Sequence, residues 1–270
     1  MSSVIAARLR SMRYKLPEQI GRLLPYGGID AGVAAGETMA RQGIACSLGY
    51  FARDDDPPAT VAQQYCRLAE ALSGSGFDAI VAIKAPQLGF DEGLVREIAD
   101  HGLPMVFDAH AQHQAEAIHR LAAGVGAGVA LPARWKRSRE DAERLRGARQ
   151  RVRLVKGEWA DPGGDHPDVN AAYLDLVKLL AGRTAPVAIA THDPKLARVS
   201  LATLREAGTP AELEQLRGLP RRRTSAIAQE FGVPIRIYHA FGPGWWPYAL
   251  EQALRRPYLP LWALRDMTGT

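Results

Sequence analysis

This 270-residue chain has few cysteines and no long apolar run. Both features argue against a disulfide-stabilised or membrane-spanning protein. The two cysteines, Cys46 and Cys66, lie in an apolar strand pattern and on an apolar helical face, as is typical of buried, reduced thiols. They provide neither a disulfide framework nor a metal site. No window approaches the roughly 18 apolar residues of a membrane-spanning helix, and no signal-peptide pattern occurs. We therefore expect a soluble, cytoplasmic protein without a transmembrane segment.

Familiar phosphate and metal motifs are also missing. No glycine-rich phosphate-binding fingerprint occurs, because Gly32 and Gly36 do not follow a predicted strand. Three histidines occur on one segment, but their spacing does not place them on one helical face: His110, His113 and His119. We therefore expect no metal site.

The charge balance is close to even, with 34 basic and 29 acidic residues and a net charge of +5. The basic clusters at 134–139 and 221–223 are typical of solvent-exposed helix starts, and Trp135 is the only aromatic residue among them. We therefore expect no nucleic-acid partner. The oligomeric state has no signature in the sequence.

Eight short apolar runs follow one another along the chain, each succeeded by a helical pattern. Strands are predicted at 43–50, 78–84, 103–109, 126–131, 151–157, 186–191, 211–216 and 234–239. Helices are predicted at 59–73, 91–101, 112–122, 138–148, 168–182, 194–206, 220–231 and 244–256. This alternation predicts a parallel sheet, and eight units favour closure into an α/β fold of the (β/α)8 TIM-like barrel class. We assign residues 43–270 to the barrel and residues 1–42 to an N-terminal lead-in segment.

Polar residues end most of the predicted strands, where a barrel of this class binds its ligands. They are Lys84, Asp108, Arg153 with Lys156, Thr191 with His192, Glu214 and Tyr238, whereas the fourth strand ends at Pro132. Lys84 and Asp108 end neighbouring strands and can form an ion pair, either a purely structural one or part of a site.

Arg153 and Lys156 stand out, because an unpaired charge on a buried strand costs several kcal/mol. Strand alternation puts the two side chains on opposite faces unless the strand end twists. A phosphate-bearing cofactor would satisfy at least one of them, although solvent or neighbouring carboxylates are an alternative. His192 is either a donor to phosphate or ribose oxygens or a structural histidine.

The motifs at these strand ends resemble those of the proline dehydrogenases. Residues 152–159 are similar to the VRLVKGAY motif of that family, which is the most specific match. The other matches occur in the right order along the chain: Ile83-Lys84 with Gln87-Leu88-Gly89, Phe107-Asp108, Ala190-Thr191-His192-Asp193, and Ile235-Arg236-Ile237-Tyr238 with Trp246-Pro247-Tyr248.

The resemblance implies an FAD-dependent barrel that takes a hydride from the carbon beside a substrate nitrogen and delivers it to flavin N5. It assigns the cofactor to Arg153, Lys156, Gly157, Thr191 and His192. It places Lys84, Asp108, Tyr238 and Tyr248 at the reacting end of the substrate, with Leu216 as a further wall and Trp159 where the family usually has Tyr.

Several positions depart from the family pattern. Glu251 and Gln252 occupy the positions of two adjacent arginines that grip the proline carboxylate, and Arg255 occupies the position of the Glu that pairs with the first arginine. A Glu at such a position repels a carboxylate. Pro132 and Glu214 each replace a usual Gln.

We therefore predict an FAD-dependent dehydrogenase or oxidase of an amine-like substrate without a free α-carboxylate, which is either a small molecule or an acyl group tethered to a carrier. The residues predicted to contact this substrate include Trp159, Leu216, Glu251, Gln252 and Arg255. One alternative is a flavin-free lyase, isomerase or hydrolase with acid–base chemistry at Lys84, Asp108 or His192. Another is a non-catalytic binding protein derived from the family.

Overall fold

Eight parallel strands close into a barrel in the computed structural model, which describes residues 26–246 and 249–250. Each strand pairs with the next along the chain, and the last pairs with the first. The strands are β1 Ala45–Tyr50, β2 Ala79–Ile83, β3 Met105–Phe107, β4 Gly128–Pro132, β5 Val152–Val155, β6 Val187–Ala190, β7 Ala211–Leu216 and β8 Ile235–Phe241. The predicted barrel class is confirmed. Six predicted strands contain the observed strand, whereas β4 and β8 extend past the predicted ends at residues 131 and 239.

Helices alternate with the strands and cover the outside of the barrel. They are α1 Ile29–Ala40, α2 Pro58–Ser73, α3 Glu92–Ala99, α4 Ala115–Gly124, α5 Ser138–Leu145, α6 Val169–Leu180, α7 Pro194–Glu206 and α8 Arg222–Phe231. Three of them begin at an aspartate whose side chain accepts two backbone N–H bonds in the first turn: Asp91, Asp168 and Asp193. This capping satisfies donors that a helix start otherwise leaves unpaired.

One feature of the helical layer differs from the sequence prediction. The predicted helix 112–122 begins as a 3-10 turn over Gln112–Gln114 and becomes α-helical at Ala115. The predicted lead-in contains α1, which packs against β1 and β8. The division of the chain at residue 42 stays a prediction, and most of the predicted helix 244–256 lies outside the described residues.

Alternate residues of the strands face the helices and form the apolar core. Its fully buried members on the strands include Leu48, Val81, Phe107, Leu131, Leu154, Ile189, Leu213 and Ile237. Cys46 and Cys66 are free and buried, as predicted, and burial raises the pKa of Cys46 to about 11. In the part of the chain that the structure describes, no helix has the length and apolar character needed to cross a membrane.

The other alternate residues face the barrel axis, and many of them are charged. Near the N-terminal ends of the strands, Arg236 donates to Glu212 at 2.9 Å, to the carbonyl of Cys46 at 2.8 Å and to Asp78 at 2.9 Å. Arg151 pairs with the same Glu212. Barrel interiors are usually filled by branched apolar side chains. We call these four charged residues (Asp78, Arg151, Glu212 and Arg236) the floor network.

Candidate active site

A cavity of about 760 Å³ opens at the C-terminal ends of the strands. Its volume lies in the range of roughly 300–1,000 Å³ that small-molecule sites occupy. Nine residues of the predicted site line it: Lys84, Asp108, Arg153, Gly157, Trp159, Thr191, His192, Leu216 and Tyr238. Lys156 is not among the lining residues. Tyr248, Glu251, Gln252 and Arg255 lie outside the described residues, so their predicted roles stay predictions.

Lys84, Asp108 and Tyr238 form a closed triangle of hydrogen bonds beneath the cavity. Lys84 Nζ donates to Asp108 Oδ2 at 2.6 Å and to Tyr238 Oη at 3.0 Å, while Tyr238 Oη donates to Asp108 Oδ2 at 2.8 Å. The Lys84 ammonium also lies 3.9 Å from the centre of the Phe51 ring. The predicted pair across β2 and β3 therefore exists, and it includes the hydroxyl of Tyr238 from β8, which is separated from β2 by β1 alone.

Arg153 joins this triangle to β7. Its Nε and Nη2 groups donate to the two carboxylate oxygens of Glu214 at 2.8 and 2.7 Å, and Nη1 donates to Asp108 Oδ1 at 2.7 Å. Nη2 also donates to Ser47 Oγ at 3.1 Å. An arginine has five N–H donors, so these four bonds leave one N–H on Nη1.

The buried charged residues Lys84, Asp108, Arg153 and Glu214 influence one another's ionisation. Burial opposes ionisation of Asp108, but the positive charges of Lys84 and Arg153 outweigh it and lower the pKa of Asp108 to about 2. Burial is likewise outweighed at Glu214, whose pKa Arg153 lowers. Burial and the neighbouring Asp108 raise the pKa of Tyr238 well above its ordinary value. At neutral pH both acids are therefore ionised, and Tyr238 is a neutral donor.

Two of the cavity residues that were not predicted as site residues carry buried polar atoms. Gln87 Oε1 and His110 Nε2 are buried and have no hydrogen-bond partner. Burial, reinforced by the charge of Lys84, lowers the pKa of His110 to about 4, so the imidazole is neutral at pH 7. Their positions in the sequence could have identified them as site residues, because both follow strand ends. Gln87 lies in the turn after β2, and His110 follows Asp108 by two residues.

Lys156 follows the end of β5 and does not line the cavity, whereas Arg153 does. Its Nζ is 3.7 Å from Asp193 Oδ2, and its side chain is 43% exposed. Contact of Lys156 with a cofactor stays a prediction.

Thr191 and His192 hold the loops beside β6. Thr191 Oγ1 accepts from the Asp193 N–H at 3.1 Å, which leaves its hydroxyl hydrogen available to another acceptor. His192 Nδ1 lies 2.7 Å from the Pro220 carbonyl, and Nε2 accepts from the Leu216 N–H at 3.0 Å. Both His192 nitrogens therefore bind backbone, so the ring presents mainly its face to the cavity.

A braced loop after β5 carries Trp159 at the mouth of the cavity. Arg134 donates to the carbonyls of Gly157 and Glu158 at 3.3 and 2.6 Å and pairs with Asp165. Trp135 Nε1 donates to the Trp159 carbonyl at 2.8 Å. The loop is thus fixed at several points, while the Trp159 side chain is 48% exposed.

Gly157 allows this loop to turn. Its φ is +99°, and an added Cβ would lie 2.8 Å from the Pro132 Cβ. A larger residue would meet both backbone strain and a clash. The structure thus gives Gly157 a packing role against Pro132, and its predicted contact with a cofactor stays a prediction.

The residues present fit the flavin that the sequence resemblance implies. Small side chains along β4 and β6, Ala130, Pro132 and Ala190, leave space beside Arg153. The remaining N–H of Arg153 and the hydroxyl of Thr191 are donors for ring and ribose oxygens or nitrogens. The resident donors therefore match a ligand that is rich in acceptors.

Comparison with known proteins gives sequence relatives that match this chain over most of their length. Proline dehydrogenase 1 of Bacillus subtilis subsp. natto is 23% identical over 258 residues, which cover 85% of this chain and 84% of the relative. Proline dehydrogenase of Deinococcus radiodurans is 27% identical over 279 residues, which cover 91% and 88%. No family model matches the chain.

Among solved structures, proline utilization A (PutA) of Bdellovibrio bacteriovorus, inactivated by N-propargylglycine, superposes with a TM-score of 0.71 at 15% identity and covers 84% of this chain. PutA of Corynebacterium freiburgense superposes with a TM-score of 0.69 at 17% identity and covers 98%. The chain spans only 31% and 33% of these two PutA chains. At such identities the superpositions establish a shared fold.

Proposed function

We propose that this chain, a member of the proline dehydrogenase-like family, is an FAD-dependent dehydrogenase or oxidase that acts on an amine-like substrate other than free proline. One observation carries the proposal. The closed set of bonds among Lys84, Asp108, Tyr238 and Arg153 lies under a cavity at the strand ends, where barrels perform their chemistry. The proline dehydrogenase relatives support the reaction class, and the cavity supports a site at the strand ends.

FAD, when bound, supplies the acceptor for a hydride from the carbon beside the substrate nitrogen. The residues of the chain orient the reactants. Arg153 offers its remaining N–H, and Thr191 offers its hydroxyl hydrogen, to acceptors of the cofactor. Asp108 stays ionised and accepts an N–H of the substrate, while Lys84 and Tyr238 fix the orientation of its carboxylate. Trp159 and Phe51 line the cavity and limit the access of water.

The charge distribution supports a substrate without a free carboxylate. Both buried cations of the described cavity, Lys84 and Arg153, are already paired with carboxylates, Asp108 and Glu214. Arg53 at the rim is exposed to solvent, where an ion pair contributes little. A substrate carboxylate in this cavity would therefore compete with ion pairs that are already formed. Glu251 at the position of a usual arginine points the same way.

A visible absorption spectrum with and without added FAD tests the cofactor. Bands at about 370 and 450 nm, which belong to the flavin itself, are expected after FAD is added and unbound cofactor is removed. A colourless protein that takes up no FAD would contradict the proposal and would favour the flavin-free enzyme or the binding protein.

Anaerobic bleaching of the flavin tests the substrate class. L-proline, L-proline methyl ester, L-prolinamide and pyrrolidine form a matched series in which only L-proline carries the carboxylate. We expect faster bleaching by at least one carboxylate-free member than by L-proline. Bleaching by L-proline alone would leave the family assignment intact and would refute the substrate class.

A further inference from the structure

Among the cavity residues, Glu214 accepts the most hydrogen bonds from Arg153. It accepts two parallel hydrogen bonds from the guanidinium, at 2.8 and 2.7 Å, which is the bidentate geometry of the strongest arginine–carboxylate pairs. The side chains of Glu214 and Arg153 are 3% and 5% exposed. Water therefore screens this pair very little, and the negative charge of Glu214 acts directly on whatever lies beside Arg153.

The four buried charges beneath the cavity cancel. Lys84 and Arg153 contribute two positive charges, and Asp108 and Glu214 contribute two negative charges. Without Glu214 the set would carry one net positive charge. A ligand that gains negative charge during its reaction would then be stabilised, because an uncompensated buried cation attracts it.

We infer that Glu214 lowers the reduction potential of the flavin in this site by cancelling the charge of Arg153. Two-electron reduction at pH 8 adds two electrons and one proton, so the cofactor gains one negative charge. A neutral set of neighbours stabilises that charge less than a cationic set does, and charge near the flavin ring is a recognised control of its potential. The inference rests on the proposed function, since it requires a flavin next to Arg153.

Glu214→Gln is the direct test, because Gln has almost the same shape and no charge. The FAD-loaded protein is equilibrated at pH 8 with a redox dye of known potential, and the fraction of reduced flavin is read from its absorption. We expect the equilibrium constant for reduction to rise at least about tenfold, which corresponds to about 30 mV for a two-electron couple.

Glu212→Gln is a matched control. Glu212 is equally buried, faces the same interior and belongs to the floor network, two residues earlier on β7. It therefore lies roughly 7 Å deeper in the barrel. We expect its effect on the equilibrium constant to be less than about threefold. An effect as large as that of Glu214→Gln would overturn the inference, because general loosening of the interior would then explain both.

Two further variants keep the test decisive if Glu214→Gln fails to fold, which is a real risk for a broken buried pair. Asp108→Asn also leaves the set with one net positive charge and should raise the potential. Lys84→Met leaves one net negative charge and should lower it. Reduction potentials that rise with the net charge of these four residues support the inference. Potentials that do not change with that net charge overturn the inference.

The outcomes separate the two proposals. Failure of the wild-type protein to bind FAD overturns both the proposed function and this inference. A wild-type protein that binds FAD, with unchanged potentials in the charge variants, overturns this inference alone. The potential is read without any substrate, so the result does not depend on which amine the enzyme oxidises.

Discussion

The ammonium of Lys84 lies 2.6 Å from Asp108 Oδ2, and this bond ties the end of β2 to the end of β3 under the cavity. The other carboxylate oxygen, Oδ1, accepts from Arg153 at 2.7 Å. Asp108 is thus the one acid shared by both buried cations of the described cavity. Its loss should affect orientation of the substrate and of the cofactor together.

Asp108→Asn should therefore reduce the rate of substrate-dependent flavin bleaching by about a hundredfold or more, because a neutral amide cannot hold both cations. Stopped-flow absorption under anaerobic conditions measures the rate. Asp78→Asn is the control, since the side chain of Asp78 is 65% exposed and bonds Arg236 at the opposite end of the barrel. Equal losses in both variants would show that Asp108 has no special place in the reaction.

Gly49→Ala should disturb the position of Tyr238. A Cβ at residue 49 would overlap with Tyr238 Oη, so the ring must shift from its present position, in which it bonds Asp108. We expect a loss of bleaching rate of about tenfold, similar to that of Tyr238→Phe, which removes the same hydroxyl. If Tyr238→Phe retains full rate, the hydroxyl does not contribute and the prediction fails.

Gly157→Ala should destabilise the protein by about 2–3 kcal/mol, because it combines positive φ with a clash against Pro132. Gly164→Ala separates the two effects. Gly164 has a φ of +87°, yet the nearest atom to its added Cβ is the end of a flexible side chain at 3.9 Å. It should cost only about 1 kcal/mol. Chemical denaturation of both variants measures the two losses of unfolding free energy. Equal losses would show that Pro132 shifts at little cost to accommodate the added methyl group.

His110 should make the fold sensitive to mild acid. Its pKa is lowered from 6.5 to about 4, so the folded state favours the neutral ring. The stability that this preference confers is complete above about pH 6.5 and is lost as the pH falls toward 4. Between pH 7.5 and 4.5, His110→Asn should lose about 2–3 kcal/mol less unfolding free energy than the wild type. A variant at the exposed His113 should follow the wild type instead.

The barrel was predictable because its eight apolar runs each fit a strand and are separated by helical patterns. The strand ends were predictable for the same reason: closure brings Lys84, Asp108, Arg153 and Tyr238 to one rim wherever the exact boundaries lie. Strand alternation also predicted different surroundings for Arg153 and Lys156, and only Arg153 lines the cavity.

The partners of these side chains were not predictable. Glu214 reaches Arg153 across the barrel interior, over 61 residues of sequence, and only the stagger of a closed sheet sets that distance. The floor network could not be predicted from the sequence for a similar reason, since Glu212 and Arg236 look like ordinary polar positions of alternating strands. His110 was considered only as a metal ligand, because the sequence does not show that its ring is buried beside Lys84.

The floor network also affects how stability depends on temperature. Arg236, Glu212 and Arg151 occupy interior volume that branched hydrocarbon fills in most barrels of this class. Unfolding this barrel therefore exposes more polar surface and less apolar surface than usual, and polar exposure lowers the heat capacity of unfolding. A smaller heat-capacity change flattens the stability curve. The protein should accordingly lose free energy more slowly on both sides of its temperature of maximum stability than an apolar-cored barrel of equal length.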